Sequence, residues 1–282
     1  VIEQKIVALE NILGKTLEAI KRGFSPKGVN IGGGFDISYA QNPEDWNHYV
    51  NTLKESLRNF SESLTWNNGG LGFRNEGGLI KGAPAFLDHG PNIWGAQELD
   101  QLLSLKLPEL DNMTMADFLA DCLLELYIEP GRSMFDQLGI TVGRVNHVKT
   151  SMHGETLVNL DMNRSSMNSA QQKLLTDPVI ISKDPEKSAA AENGVYYTGN
   201  LCLSYDMITY NKTFPDFCPA EGDLVIFINT ASYIMDFVES RTLHQNLAEK
   251  VAIAHDGQRF RWFRDEVYNP VTIRPVTIRN ES

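Results

Sequence analysis

The hydrophobic period of this chain changes near residue 138, and that change limits its possible folds more than any other feature. Before it, Ile2, Ile6, Leu9, Leu13, Leu17 and Ile20 recur every three or four residues, the spacing of an amphipathic helix. Gly23 followed by Phe24 reads as its stop. "GVNI" is a short strand. Asn42 as N-cap with Pro43 opens a second helix through Trp46, Val50, Leu53, Leu57 and Phe60. Residues 63–113 lack a period and are rich in turn formers, so a long loop with small elements is predicted there. Thr114 with Asp117 resembles a capping box, and "ELYIEPGR" reads as a buried strand ending at Pro130. After 138 come "GITVGRVNHV", "ETLVNLDM", "DPVIIS", "NGVYYTGNLCL" and "GDLVIFIN", short β-like runs between turns. "KVAIAHDGQRFRWFR" is a hairpin pattern with Asp256-Gly257 at its turn. The expectation is an α/β domain over 1–138, with an insert at 63–113, and a β-rich domain over 139–282.

A chain of 282 residues that is 42% hydrophobic has the means to bury a sizeable core. Its formal net charge of -11 argues against nucleic acid or an anionic membrane as partner. Cys122, Cys202 and Cys218 show no CxxC spacing, which argues against a disulfide framework and a structural metal site. A reducing, cytoplasmic compartment is expected. No apolar run reaches the length of a membrane span, and no signal peptide pattern opens the chain. Val1 already lies within a helical pattern, so the chain is expected to be a piece of something longer.

Four clusters carry candidate chemistry. In "VNIGGGFDIS", Gly32, Gly33 and Gly34 follow a strand, where bare backbone amides can approach a phosphate. No GK[ST] follows and the GxGxxG spacing is absent, so a tight turn or a close crossing of elements remains the other reading. In "IEPGRSM", Glu129 would end a strand, where α/β barrels place catalytic groups, and Arg132 is a fork donor for an anion. An ordinary loop ion pair is the alternative. "GNLCLSYD" gathers Cys202, Ser204 and Asp206, although a single cysteine is usually a small buried hydrophobe. "NTASYIMDF" sets Tyr233 in a small-residue turn after "DLVIFI", where core packing is the commoner use of a tyrosine.

Taken in order, "GGGF", "EPGR", the C-x-S-x-D loop and "GDLVIF-NTASY-MDF" resemble the fold-type III pyridoxal-phosphate decarboxylases that act on diaminopimelate, ornithine and arginine. "LVNLDMN" is similar to the strand that follows the barrel in that family, and "RFRWFRDEVYNP" to its final hairpin. The resemblance implies the C-terminal part of a TIM (β/α)8 barrel followed by a β-rich Greek-key barrel or sandwich domain. It implies pyridoxal 5'-phosphate as cofactor and no metal. Gly32, Gly33 and Gly34 would wrap the phosphate with backbone amides, assisted by Arg132 and the Tyr233 hydroxyl. Glu129 would pair with the pyridinium nitrogen and favour loss of CO2, whereas alanine racemase, similar in architecture, uses an arginine there. Cys202 would sit in a loop offered across a homodimer interface as a general acid in shared active sites, and Asp206 near the side chain of an amino-acid substrate.

The chain also departs from the pattern. No lysine stands in the "A-x-K-A-N"-like setting that supplies the family's Schiff-base lysine, and the family's ring-stacking histidine is expected upstream of Val1. Leu203 replaces the glutamate of "C-E-S-x-D", and "DMNRSSMNSAQQKL" lacks the arginine of "MNDL-x-RP". The link from "GGGF" to "EPGR" is longer than usual. A divergent subfamily is therefore implied, with its substrate open and this chain alone expected to be inactive. A non-catalytic homologue that binds and regulates other proteins is the second reading. An unrelated phosphate-binding barrel is the third, and it leaves the Cys202 and Tyr233 segments unexplained.

Overall fold

The computed structural model describes residues 2–40, 42–59, 62–110, 112–167, 175–184, 186, 191–236 and 244–265. Phe60, Phe237, the stretch 168–174 and the end of the final hairpin motif from residue 266 lie outside them. The chain divides into two compact units, Val1–Val238 and Glu239–Ser282.

The first unit opens with α1 (Ile2–Lys21), which buries Leu9 and Leu13. Gly23 ends it in the left-handed region at φ +87°, and the amides of Gly23 and Phe24 return to the carbonyls of Ile20 and Ala19. Strand β1 (Gly28–Asn30) follows, and then α2 (Pro43–Asn59), whose first turn is capped by the Asn42 side chain at 3.0 Å from the Glu44 amide. The predicted loop at 63–113 holds a hairpin of β2 (Phe73–Glu76) and β3 (Leu79–Gly82), helix α3 (Gly95–Leu103) and strand β4 (Lys106–Leu107). β4 pairs with β5 (Met113–Thr114), and α4 (Met115–Asp121) starts at Thr114, whose hydroxyl accepts from the Asp117 amide at 3.1 Å. Then comes β6 (Glu125–Tyr127), parallel to β1 in a two-stranded sheet.

This β6 segment was expected to be buried. Instead Tyr127 is 50% exposed and Glu125 is exposed, because β6 has β1 alone as a paired strand among the described residues. α1, α3, α4 and β1 enclose the first core, around Leu13, Val29, Leu102, Leu107, Met115 and Phe118.

The β-rich part forms one mixed sheet. Its strands are β7 (Ile140–Thr150), β8 (Thr156–Leu160), β9 (Val179–Ile181), β10 (Val195–Thr198) and β11 (Leu224–Ile228). They lie in the order β10-β8-β7-β11-β9, with the β10–β8 pair parallel and the others antiparallel. A second core lies on one face and includes Val145, Leu160, Val195, Tyr197, Val225 and Phe227. The one-turn helix α5 (Tyr233–Asp236) follows β11 and adds Ile234 to that core.

The two cores divide near residue 138, but the compact unit continues across it to Val238. The 63–113 segment spans both parts. The Trp66 amide bonds the Tyr210 carbonyl at 2.8 Å, the Lys212 amide bonds the Leu64 carbonyl at 2.8 Å, and the Trp66 ring meets Tyr196 edge-on at 5.3 Å. In the second unit, β12 (Val251–His255) and β13 (Phe260–Arg264) form the predicted hairpin. Gly257 is at φ +91°, and Asp256 accepts from the amides of Gln258 and Arg259.

Adjacent residues of β11 test the sidedness of the sheet. Phe227 is 2% exposed and Ile228 is 42% exposed. Phe227→Ala is expected to destabilise the chain by about 3–5 kcal/mol in urea unfolding, and Ile228→Ala to stay within about 0.5 kcal/mol.

Candidate active site

The glycine turn and the Glu129–Arg132 turn extend the parallel pairing of β1 with β6. The Ile31 amide bonds the Tyr127 carbonyl at 3.0 Å, and the Glu129 amide bonds the Gly32 carbonyl at 2.8 Å. The two segments then touch. A Cβ added to Gly33 would lie 2.1 Å from the Glu129 carbonyl oxygen, so only glycine fits there. The close-crossing reading therefore accounts for Gly33. Gly32 and Gly34 take positive φ of +73° and +77°.

Asn30 fastens the two turns. Its amide nitrogen donates to Glu129 Oε1 at 2.6 Å, and its Oδ1 accepts from the Gly32 amide at 2.8 Å. Gly32 was expected to offer its amide to a phosphate, but that amide and its carbonyl both serve the protein. The amides of Gly33 and Gly34 have no acceptor among the described residues, so the available donors are one position further on.

A buried carboxylate shapes the other end of the turn. Glu98 of α3 is 2% exposed, pairs with Lys5 of α1 and accepts from the Asp36 amide at 3.0 Å. Lys5 also donates to the Gly34 carbonyl at 2.7 Å and lies over the Phe35 ring. Burial, then the nearby Glu98 carboxylate, pushes the Asp36 carboxyl up, with Lys5 opposing.

Tyr233 reaches the Glu129–Arg132 turn from the β-rich part. The Arg132 guanidinium lies 5.6 Å from its ring centroid, and a Cβ added to Gly131 would lie 2.9 Å from its hydroxyl. The Asn229 side chain ties the loops, donating to Asp136 at 2.8 Å and accepting from the Gln137 amide at 2.9 Å. Thus the glycine turn, Glu129, Arg132 and Tyr233 are brought together, although about a hundred residues separate each part from the next.

Cys202 and Asp206 have a different setting. Cys202 is exposed. Asp206 was expected beside a substrate, but it is 3% exposed, and its oxygens accept from the backbone amides of Arg164 at 2.9 Å and Leu201 at 2.8 Å. Its carboxylate shapes the Cys202 loop rather than facing outward.

Sequence reasoning missed Asn30, Tyr39, His89 and Glu98. Asn30 ends an apolar strand two residues before Gly32, which is a weak local signal. His89 and Glu98 lay in the stretch read as loop, and no period marked them. His89 is 2% exposed and stacks on Trp46 at 4.3 Å. Its Nδ1 faces the Leu87 carbonyl at 2.7 Å, and its Nε2 accepts from the Leu175 amide at 2.8 Å.

Among the described residues, no group of His, Cys, Asp and Glu could hold a metal ion, and no helix is long and apolar enough to cross a membrane.

No family model matches the sequence. The uncharacterized protein y4yA of Sinorhizobium fredii is 26% identical over 261 residues, covering 91% of this chain and 52% of that protein. Among solved structures, the diaminopimelate decarboxylase of M. jannaschii gives a TM-score of 0.57 at 17% identity, over 94% of this chain and 46% of that one. The fold is similar to that of about half of the diaminopimelate and lysine decarboxylase chain, and the described strands form no closed barrel. The diaminopimelate decarboxylase of Helicobacter pylori, complexed with L-lysine, gives 0.54 at 14% identity over 94% of this chain and 48% of that one. The lysine decarboxylase of Selenomonas ruminantium gives 0.52 at 15% over 86% and 46%. This chain spans about half the length of the proteins it matches.

Burial lowers His89 to about 4, from an ordinary 6.5. The folded chain therefore keeps it neutral while the unfolded chain protonates it. Stability is expected to fall as pH drops from about 6.5 to about 4, by up to about 3 kcal/mol. His89→Gln should flatten that limb when urea midpoints are compared across the range. An unchanged limb would assign it to other groups.

Proposed function

We propose that this chain is the phosphate-holding half of a pyridoxal 5'-phosphate-dependent amino-acid decarboxylase, acting within a protein of its relatives' length. The observation that carries this reading is the meeting of Gly33, Glu129, Arg132 and Tyr233. The residues present suit the cofactor. Two backbone amides without acceptors among the described residues, those of Gly33 and Gly34, lie in the same turn that Asn30 ties to the Glu129 carboxylate. When bound, the cofactor supplies an electron-withdrawing ring that takes up the electron pair released as CO2 leaves.

The protein's part is positioning and proton control. The Gly33 and Gly34 amides, the Arg132 guanidinium and the Tyr233 hydroxyl would hold phosphate oxygens, a set of neutral and charge-assisted donors. Asn30 fixes Glu129 Oε1, so the carboxylate is oriented before the ring arrives. Glu129 would keep a proton at the ring nitrogen. Exposed Cys202 would come from a second subunit and deliver a proton to the product carbon, a general-acid role. Asp206 would hold the Cys202 loop in place through its bonds to the Arg164 and Leu201 amides. Because no lysine has the family's setting, residues 1–282 alone are not expected to release CO2 from lysine, ornithine, arginine or diaminopimelate.

Two measurements test this. In a protein of full relative length, Arg132→Ala should weaken retention of pyridoxal phosphate by about tenfold or more, because it removes a charged phosphate donor. Unchanged retention, with no turnover of any amino acid by the parent, would favour the non-catalytic, protein-binding homologue. For Cys202, a Cys202→Ala subunit mixed with a subunit lacking the cofactor-bonding lysine should regain one working site per heterodimer. A mixture no more active than its components would rule out shared sites.

A further inference from the structure

Tyr39 has an unexplained hydroxyl. The oxygen is buried beside the Arg132 guanidinium, which can only donate to it, and its O–H has no acceptor among the described residues. A desolvated O–H without an acceptor costs free energy, so its retention calls for a reason. Burial pushes the phenol up, while the charge of the neighbouring Arg132 guanidinium and a hydrogen bond from it oppose the rise. Tyr39 thus shares the neighbourhood of Arg132, which also lies over Tyr233. It comes only five residues after Gly34.

The ring is held from two sides. It packs against the core of the β-rich part. Its backbone amide bonds the His89 carbonyl at 2.9 Å, the Ala40 amide bonds the same carbonyl at 2.7 Å, and its ring lies 5.1 Å from the His89 ring. His89 is locked in turn by Trp46 and by the bonds to Leu87 and Leu175. As an acceptor toward Leu175 N–H, its Nε2 carries no proton, so the imidazole stays neutral and adds no positive charge beside Arg132.

Building on the phosphate site proposed above, we propose that Tyr39 is a further phosphate donor beside Arg132, and that the 63–113 segment positions it through His89. A phosphate monoester is the ligand class that suits a neutral O–H donor next to a guanidinium. Its oxygens accept from both, and the desolvated hydroxyl gains the acceptor it lacks. The segment then has a function at the site, although it lies far from the glycine turn in sequence.

The test compares pyridoxal phosphate with pyridoxal, which has the same ring and no phosphate. Both are titrated into the 282-residue protein, and binding is followed by tryptophan fluorescence and by amide shifts of Gly33 and Gly34. Tyr39→Phe should lose about tenfold in affinity for pyridoxal phosphate and nothing for pyridoxal. His89→Gln should shift the same ratio in the same direction, and should add nothing to the ratio when combined with Tyr39→Phe, because it acts through that residue. Equal weakening of both compounds by Tyr39→Phe would make Tyr39 a packing residue and overturn the inference, as would no change in either. A His89→Gln effect that adds fully to that of Tyr39→Phe would remove His89 from the proposal. Arg132→Ala separates the two levels. If Arg132→Ala lowers phosphate preference and Tyr39→Phe does not, the phosphate site stands and Tyr39 has no part in it. If the unaltered protein shows no preference for the phosphorylated compound, the phosphate site and this inference fall together.

Discussion

The contact of Gly33 with the Glu129 carbonyl sets the geometry on which the site depends. At 2.1 Å from a virtual Cβ, it is closer than any side chain tolerates, and it brings two turns from distant parts of the chain into backbone contact. The bonds from Glu129 N–H to Gly32 and from Asn30 to both turns build on that approach. Without it, Glu129 and the amides of Gly33 and Gly34 would not share one locus. The three glycines therefore have different tasks. Gly33 permits a crossing, Gly32 closes a hydrogen-bonded turn, and Gly34 carries its carbonyl to Lys5.

Elements with strong local signals were legible in the sequence. The helical spacing of α1 and its Gly23 stop, the Asn42 cap, the Thr114–Asp117 cap and the Asp256-Gly257 hairpin all depend on neighbours within a few residues. The change from helical to β period near 138 was equally local. The parallel β10–β8 pairing was not legible, since nothing in either run encodes the direction of its partner. The exposure of β6 was missed because an apolar run states a preference for burial and not whether a neighbouring strand is there to provide it. α3 was hidden among glycines and prolines that read as loop.

The site divides in the same way. "GGGF", "EPGR" and the Tyr233 segment could be found as words in the sequence, and the fold brings them together. Their supports could not be found, because Asn30, His89 and Glu98 act through tertiary contacts. A carboxylate buried to 2% exposure, such as Glu98, is uncommon unless paired, but its partner Lys5 lies 93 residues away and leaves no local sequence pattern. Asp206 is the opposite case. A polar residue in a suggestive motif proved to be holding its own loop through backbone amides.

The Lys5–Glu98 pair has a consequence for the order of folding. Its partners are 93 residues apart, and Glu98 also receives the Asp36 amide at the far end of the glycine turn. Contacts of such separation form only after a large loop has closed, and loop closure is slow compared with helix formation. α1 can form early from local contacts alone, but the glycine turn cannot take its final shape until α3 has docked against α1. The glycine turn is thus among the last parts of the first core to be completed. A chain released from synthesis before α3 is in place would carry its helices and its glycines, but not yet the geometry that makes them a site.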